Sequence, residues 1–530
     1  MTNPLQTFID DYVQQIEPLL AQRNNAYWNF TALGEEKWEQ EYARLDTAIR
    51  QIHSDKTRFE ALKKLSAQPS GDALLDRQAL LMRNNFQGQQ MPPDMIEQIV
   101  NLETNITSEF NSFRADLDGE AKTENQLKDI LKESNDSEVR RAAWEASKQI
   151  GVQVADRVKQ VVQLRNRTAQ AMGFANYYAL SLKLQELDED VLFSLFDRLE
   201  KSTRPLFVAY KTDLDRQLAD RFKLPIEQLR PWHYADPFFQ DVPMTPDFNL
   251  DQYYADKDVV ALATGFFQKI GLPVEDILAR SDLYERAGKY QHAYCIDIDR
   301  KGDVRSMNNV RPNAQWMGTL LHELGHAVYD KYHDEHLPFL LREPAHTLST
   351  EAIAMLMGRF NSDTNWLMKY AQVSAEEAAS LRPKLHSLDC AGLLIFTRWD
   401  LTVCHFEREM YRNPDQDLNQ LWWDLVEKFQ LLKRPEGRNQ PDLASKIHIA
   451  CYPAYYQNYM LGEMTASHLI EFITTKVLNG QSEKFVESPE VGQYLVDQYF
   501  KLGSRVDWNG LLKAATGEEL QPEYFAKHLQ

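Results

Sequence analysis

The run HELGH places His322 and His326 four positions apart with Glu323 between them. In a helix these histidines share one face, so both imidazoles can bind one metal ion at about 2 Å from each nitrogen. Glu323 would lie beside that ion without binding it, where its carboxylate can accept a proton from water that the ion activates. This arrangement is typical of zinc peptidases.

The residues around this run bear on whether the helix is buried. The flanks are apolar at Trp316, Met317, Leu320, Leu321, Ala327 and Val328. Such flanks favour a helix packed in a core over a solvated helix that carries two histidines by chance. We therefore interpret HELGH as part of a buried metal-binding helix.

A zinc site of this kind needs a third protein ligand. The metzincin pattern requires a glycine and a third histidine shortly after HExxH, but Tyr329 and Tyr332 occupy those positions. That class is therefore excluded. Two downstream glutamates, Glu343 and Glu351, compete for the role of third ligand.

Glu351 is the preferred third ligand. It opens an apolar stretch and follows three candidate N-cap residues, Thr347, Ser349 and Thr350. It would then project from the first turn of a buried helix, where a metal offsets the cost of burying its charge. The alternative is that Glu351 is simply favourable at a helix start. Glu343 is the better candidate for a partner that orients a histidine or the water.

A second set of polar residues lies near the C-terminus, in SKIHIACYPAYYQNYM. Amide hydrolysis passes through a tetrahedral oxyanion, which neutral donors such as tyrosine and histidine stabilise. The alternative is a tyrosine-rich core segment whose hydroxyls bond to the backbone. The polar residues of this run are Lys446, His448, Tyr452, Tyr455, Tyr456 and Tyr459.

Composition narrows the class of protein. The 530 residues are 43% hydrophobic and 11% aromatic, as in a globular protein with a sizeable core, and no apolar run reaches the 18 residues of a membrane span. The net charge of −19 argues against nucleic acid as a partner. The four cysteines are too few for a disulfide scaffold and form no CxxC pair.

The first residues, MTNPLQTFIDDYVQQIEPLL, lack the basic region of a signal peptide, and Asp10 and Asp11 interrupt its apolar region. We therefore expect a cytoplasmic location. A secreted or periplasmic protein trimmed of its leader would have the same sequence, so that alternative stays open.

Apolar residues at spacings of three and four predict a mainly helical protein, in segments such as WEQEYARLDTAIRQI, VRRAAWEASKQI and VADRVKQVVQLRNRTAQAM. The clearest strand is QHAYCIDI at 291–298, which we predict to be an edge strand close to the HELGH helix. Very little other β-structure is expected.

A proline-rich passage with interleaved aromatic residues follows the helical first part. It contains Pro225, Pro231, Pro237, Pro243 and Pro246, with Trp232, Phe238 and Phe239 between them. Flexible linkers are rarely aromatic, so we interpret this passage as an ordered crossing between two lobes. The predicted organisation is one two-lobed domain over 1–530 that crosses near 224–250.

Several motifs together resemble the angiotensin-converting enzyme family of peptidyl-dipeptidases, with the thimet oligopeptidase and oligopeptidase F families as close relatives. They are HELGH, REPAHTLSTEAIA, and KIH followed by YQNY, all in the family's order. Upstream, QHA after FFQKIGL looks like the family's substrate-binding segment, and AYWNF and RNRTAQAMGF are also similar.

The resemblance implies a fold and a catalytic set. The fold would be a helical ellipsoid with a deep central substrate channel that admits only peptides. One zinc ion per chain would be bound by His322, His326 and Glu351. Glu323 would be the general base, and His448 and Tyr459 would stabilise the oxyanion.

The resemblance also implies residues that bind the peptide substrate. His292 and the backbone of Ala293 would hold it near the scissile bond. Lys446 and Tyr456 would bind its C-terminal carboxylate, with Gln252 as a third member. An anchor at a fixed distance from the zinc measures off two residues and so releases dipeptides.

The chain departs from the converting enzymes at three places. One extra residue separates HELGH from REPAH. Met355 stands where those enzymes carry an aspartate that orients a zinc-binding histidine, so that orientation must be achieved differently. Asn458 replaces an arginine associated with chloride activation.

The sequence therefore predicts a zinc peptidase acting on short peptides, with release of C-terminal dipeptides as the preferred activity. The alternatives are a thimet-type endo-oligopeptidase, a metallocarboxypeptidase, and a binding protein that keeps the fold without activity. Intact HELGH, Glu351 and Tyr459 argue against the last of these.

Overall fold

A computed structural model describes residues 3–243 and 248–530. The chain is 70% helical and 3% strand. This confirms the predicted mainly α fold with very little β-structure. The three segments predicted as helices lie in α2 (Glu36–Ser54), α7 (Ser137–Ser147) and α8 (Gln149–Ala171) of the series given below.

The described residues form 22 α-helices. In chain order they are α1 (Pro4–Leu33), α2 (Glu36–Ser54), α3 (Lys56–Leu65), α4 (Ala73–Gly88), α5 (Pro93–Ser112), α6 (Glu124–Glu133), α7 (Ser137–Ser147), α8 (Gln149–Ala171), α9 (Tyr177–Leu184), α10 (Glu189–Phe222), α11 (Val259–Lys269), α12 (Glu275–Arg280), α13 (Ala314–Lys331), α14 (Thr347–Gly358), α15 (Thr364–Lys369), α16 (Ala375–Arg412), α17 (Leu418–Gln430), α18 (Ile447–Cys451), α19 (Gln457–Phe472), α20 (Pro489–Gln498), α21 (Trp508–Thr516) and α22 (Pro522–His528).

Within the described ranges, four short strands form two antiparallel hairpins. β1 (Ala115–Leu117) pairs with β2 (Glu120–Lys122), and β3 (Tyr294–Asp297) pairs with β4 (Val304–Met307). β3 lies within the predicted strand at 291–298 and belongs to a two-stranded sheet, so it is an edge strand as predicted. It lies beside α13, since the Sγ of Cys295 is 3.9 Å from Oδ2 of Asp330.

The chain divides into two compact units. Unit 1 comprises Met1–Gln90, Phe248–Leu385 and Leu461–Phe525, and unit 2 comprises Met91–Asp247, His386–Met460 and Ala526–Gln530. In unit 1, apolar faces of α1 to α4 bury a shared core that includes Ile9, Phe59, Met82 and Phe86. The single two-lobed domain over 1–530 stays a prediction.

The proline-rich passage is ordered where the structure describes it. It contains 3₁₀ turns at Ile226–Gln228 and Pro231–His233, and Trp232 and Phe239 are buried. The carboxylate of Asp236 accepts backbone N–H bonds from Phe238, Gln240 and Asp241 at 2.8–3.0 Å, which fixes the local turn. Pro246 lies outside the described residues.

Two further features of the described residues concern membrane spans and disulfides. No helix among them combines the length and apolar character that a membrane crossing requires. Their four cysteines, Cys295, Cys390, Cys404 and Cys451, are all free thiols.

Candidate active site

α13 carries the HELGH run in unit 1, and its sequence explains where it begins. The side chain of Asn313 caps the helix by accepting the N–H of Trp316 at 2.8 Å. The helix then buries Met317, Leu320 and Leu321, which confirms the predicted buried helix. His322 and His326 lie one turn apart, with ring centroids separated by 4.9 Å.

The glycine of HELGH permits α14 to pack closely on α13. A Cβ atom at Gly325 would lie 2.8 Å from Cα of Ala354 and 3.0 Å from the carbonyl oxygen of Ile353. Any side chain there would force the two helices apart. Because Glu351 is on α14, this close approach is what brings its carboxylate to the two histidines.

The structure corrects the predicted start of the helix that carries Glu351. α14 begins at Thr347, and its N-cap is His346, whose Nδ1 accepts the N–H of Leu348 at 2.9 Å. The predicted caps Thr347, Ser349 and Thr350 therefore lie inside the helix, and Glu351 projects from its second turn instead of its first. The prediction failed because an imidazole performs the capping that it assigned to a hydroxyl.

Three donor atoms converge between these helices. Oε2 of Glu351 lies 3.7 Å from Nε2 of His322 and 3.9 Å from Nε2 of His326. Ligand atoms around a tetrahedral zinc ion are about 3.3 Å apart, so a contraction of a few tenths of an ångström would complete the shell. Among the described residues, this is the one group of three or more metal-binding side chains with donor atoms within 4.8 Å of one another.

The protonation of these groups suits a cation. Burial lowers the pKa of His322 to about 4. Burial, and then the neighbouring His322, lower the pKa of His326 to about 3. Both imidazoles are therefore neutral at pH 7 and keep a lone pair for a metal. The donor set of two neutral imidazoles and one carboxylate fits zinc.

Glu323 lies on the same helix as the histidines and is 7% exposed. Burial, and then the charge of Glu351, raise the pKa of Glu323 to about 8. Burial, and then Glu463, raise the pKa of Glu351 to about 7. A bound dication would favour the ionised form of both carboxyls, so a metal would lower these pKa values and leave Glu323 able to accept a proton.

The groups around the donors differ from the prediction. Nδ1 of His326 lies 2.7 Å from Oγ1 of Thr350, the residue before Glu351. Glu343, predicted to orient a histidine or the water, instead pairs with the guanidinium of Arg300. Met355 packs so closely on α19 that a Cβ at Gly462 would lie 3.1 Å from its Sδ. Thr350 therefore takes the orienting role, and only its position next to Glu351 could have indicated this.

Of the predicted substrate-binding residues of unit 1, His292 and Gln252 are exposed and Ala293 is half-buried. His292 and Ala293 directly precede β3. The Nδ2 of Asn309 donates to the carbonyl oxygens of Tyr290 and Gln291 at 3.1 Å each, which fixes the backbone leading to His292. Gln252 is exposed on the 3₁₀ turn Leu250–Tyr253, and its role stays a prediction.

Unit 2 contains the predicted anchor for the substrate carboxylate. Lys446 directly precedes α18, and its Nζ donates to Oε1 of Gln240 at 2.9 Å. The ammonium also lies 5.4 Å from the Trp399 ring and 5.7 Å from the Phe238 ring. Burial lowers its pKa to about 8. Gln240 has no signal in the sequence, because its amide lies in the irregular proline-rich passage.

The other predicted residues of unit 2 form one aromatic cluster. Tyr456 has its ring centroid 5.3 Å from His448 and 5.6 Å from Tyr459. Burial, and then the charge of Lys446, lower the pKa of His448 to about 4, so its imidazole is neutral at pH 7. Tyr459 lies in the first turn of α19 and is half-buried. These aromatic residues of unit 2 therefore lie close to one another.

The fold is mainly helical, and HExxH converges with a glutamate from a second helix. These two features define the class of helical proteins with a zinc-peptidase metal site. The chain belongs to the angiotensin-converting enzyme family (peptidase M2), whose profile matches residues 2–526. This confirms the family resemblance of the motifs. The family is one of zinc peptidases.

Individual relatives are distant. An angiotensin-converting enzyme of Mesocricetus auratus is 22% identical over 414 residues, covering 67% of this chain and 29% of the relative. The angiotensin-converting enzyme of Mus musculus is 23% identical over 420 residues, covering 71% of this chain and 31% of the relative. An inactive angiotensin-converting enzyme-related protein of Caenorhabditis elegans is 22% identical over 420 residues, covering 69% of this chain and 45% of the relative. The matches thus span less than half of each relative's length.

The contact between Thr350 and His326 gives a first testable prediction. With Nδ1–H donating to the hydroxyl, the Nε2 lone pair is directed toward the other two donors. Thr350→Val keeps the shape but removes the acceptor, and should weaken zinc affinity by about ten- to a hundredfold. Competition with a chromophoric chelator measures this directly. Thr350→Ser, which keeps the hydroxyl, should bind zinc almost as tightly as wild type, and equal affinity of the valine variant would exclude the role.

Proposed function

We propose that this chain is a zinc-dependent peptidase that releases dipeptides from the C-terminus of short peptides. The observation that carries the proposal is the convergence of His322, His326 and Glu351, with the buried carboxylate of Glu323 on the same helix. One zinc ion per chain would be held by these three side chains.

The chemistry assigned to each residue follows from its position and protonation. Zinc, when bound, supplies a Lewis acid that polarises the scissile carbonyl and lowers the pKa of water. Glu323 accepts the proton of the attacking water and passes it to the leaving amine. The hydroxyl of Tyr459 and the neutral imidazole of His448 donate to the developing oxyanion, which needs uncharged donors with their protons in place.

The release of dipeptides is supported by the surroundings of Lys446. Its ammonium contacts one neutral amide, that of Gln240, and faces aromatic rings. Burial is the largest influence on this ammonium, ahead of the charge of Asp236, so a carboxylate that bound here would gain a charge-assisted hydrogen bond. We propose that Lys446, Gln240 and Tyr456 bind the free C-terminus of the peptide. His292 and the backbone of Ala293 would hold the peptide near the scissile bond.

The cleavage mode is tested by removing the contact between Lys446 and the peptide's C-terminal carboxylate, either by changing the peptide or by changing the lysine. A charge-assisted bond here is worth about 2–3 kcal/mol, roughly thirty- to a hundredfold in kcat/KM. Amidating the C-terminus of the peptide should cost that factor, and Lys446→Ala should cost a similar factor on the free acid. The two losses should not add, because both remove one contact. Mass spectrometry of the products should show dipeptides.

Controls separate this contact from general effects. Lys201→Ala removes an exposed lysine of α10 and should leave the preference for free acids unchanged. Because the pKa of Lys446 is about 8, the ammonium is charged below that pH and neutral above it. The ratio of kcat/KM for free acid to amide should therefore fall as pH rises through about 8. Equal cleavage of both peptides at internal bonds would favour an endo-oligopeptidase, and release of single residues a carboxypeptidase.

A further inference from the structure

A short turn connects the two elements of unit 2 that carry the proposed oxyanion donors. It comprises residues 452–456, between α18 with His448 and α19 with Tyr459. Ala454 at its centre has φ of +52°, the left-handed region that costs an L-residue free energy. Such a conformation persists only where surrounding groups impose it. The question is which groups hold this turn.

Side chains bind both backbone groups of Ala454. Its N–H donates to Oε1 of Glu407 at 3.2 Å. Its carbonyl oxygen accepts from Nε2 of Gln185 at 3.0 Å and also from Nε2 of Gln457. Glu407 and Ala454 are each 1% exposed, so water does not compete for these bonds. The turn is therefore held from α16 through Glu407 and from the end of α9 through Gln185.

Gln185 reaches beyond Ala454 to the start of α19. Its Oε1 accepts from Nδ2 of Asn458 at 3.1 Å, while its Nε2 donates to Ala454. The amide of Gln185 thus bridges Ala454, which precedes Tyr455, and Asn458, which precedes Tyr459. Both ends of this amide are needed, since one donates and the other accepts.

We propose that Gln185 and Glu407 are positioning residues that hold the turn at 452–456 and thereby place the hydroxyl of Tyr459 for catalysis. The inference rests on the proposed role of Tyr459. A tyrosine hydroxyl lies far from its own backbone, so a small rotation of the first turn of α19 displaces it appreciably. A displacement of 1 Å is enough to cost about a hundredfold in rate.

The test is a double-mutant cycle between Gln185 and Tyr459. Gln185→Leu keeps the volume but removes the bonds to Ala454 and Asn458, together with those to Ser181 and Gln457. It should lower kcat by about tenfold with KM and zinc content nearly unchanged. In a Tyr459→Phe background the same change should have almost no further effect on kcat, because the hydroxyl it positions is gone. An equal loss of kcat in both backgrounds would overturn the inference.

The cycle separates this inference from the proposed function. If Tyr459→Phe alone leaves kcat unchanged, the role assigned to Tyr459 fails. If it lowers kcat but the two substitutions act independently, only the positioning role fails. Gln170→Leu, an exposed glutamine of α8, is the matched control and should change neither kcat nor melting temperature.

Glu407 provides a second pair of variants that does not depend on Gln185→Leu folding. Burial raises the pKa of Glu407 to about 8, so its carboxyl is neutral at pH 7 and a glutamine can replace it as acceptor. Glu407→Gln should keep kcat within about twofold, whereas Glu407→Leu should lower it about tenfold with zinc retained. Equal kcat for these two variants would overturn the inference for Glu407.

Discussion

Glu323→Gln is expected to keep one equivalent of zinc and to lose turnover by about a thousandfold. The substitution preserves the shape of a buried side chain but removes its capacity to accept a proton. Because Glu323 is not among the three converging donors, the metal should stay bound. Zinc content by elemental analysis and kcat on a short peptide measure the two effects separately.

Glu351→Ala should have the opposite pattern, losing the zinc itself. Its carboxylate is the one donor on α14, and two imidazoles alone form an incomplete shell for zinc. Glu343→Ala is the matched control, because its carboxylate pairs with Arg300 and it should retain zinc. Full zinc occupancy in Glu351→Ala would contradict the assignment of the third ligand. Zinc retention with normal turnover in Glu323→Gln would contradict the assignment of the base.

These two results also separate an active peptidase from a binding protein of the same fold. One relative is described as inactive, so family membership alone does not establish catalysis. This chain has the three donors within reach of one another and a buried carboxylate beside them. A wild-type protein that bound zinc but showed no turnover of peptides would instead resemble the relative described as inactive.

The metal donors are predictable from the sequence because two of them lie one turn apart on one helix and the third lies on a helix shortly downstream. His322 and His326 share a helical face by spacing alone, and the structure places them on α13 as predicted. Glu351 required a further inference, that an apolar helix downstream packs on α13. Gly325 makes that packing close, and it is part of the HELGH run itself.

Contacts between distant segments could not be predicted in the same way. The sequence indicates Thr350 only as a candidate helix cap, since nothing in the spacing shows that its hydroxyl faces His326. Glu343 was expected near the histidines, but Arg300, 43 residues away in sequence, pairs with it. The amide of Gln240, 206 residues from Lys446, likewise depends on how the proline-rich passage folds. Sequence periodicity specifies faces of helices but not their partners.

Tyr459→Phe is expected to lower kcat by about a hundredfold or more with little change in KM. The hydroxyl would donate to an oxygen that carries full negative charge only in the transition state, so its loss affects the chemical step and not ground-state binding. The ring contacts with Phe396, Tyr455 and Tyr456 are retained in phenylalanine, so folding should be preserved.

The neighbouring Tyr455 supplies the control for this prediction. It is also half-buried and lies in the same aromatic cluster, with its ring centroid 5.2 Å from that of Tyr459, but it is assigned no part in the reaction. Tyr455→Phe should therefore keep kcat within a few-fold of wild type. Normal turnover in Tyr459→Phe would show that this tyrosine only packs, and His448 would then be left as the one proposed oxyanion donor. An equal loss in both variants would point to a shared dependence on the hydroxyls of this cluster and would contradict a specific role for the hydroxyl of Tyr459.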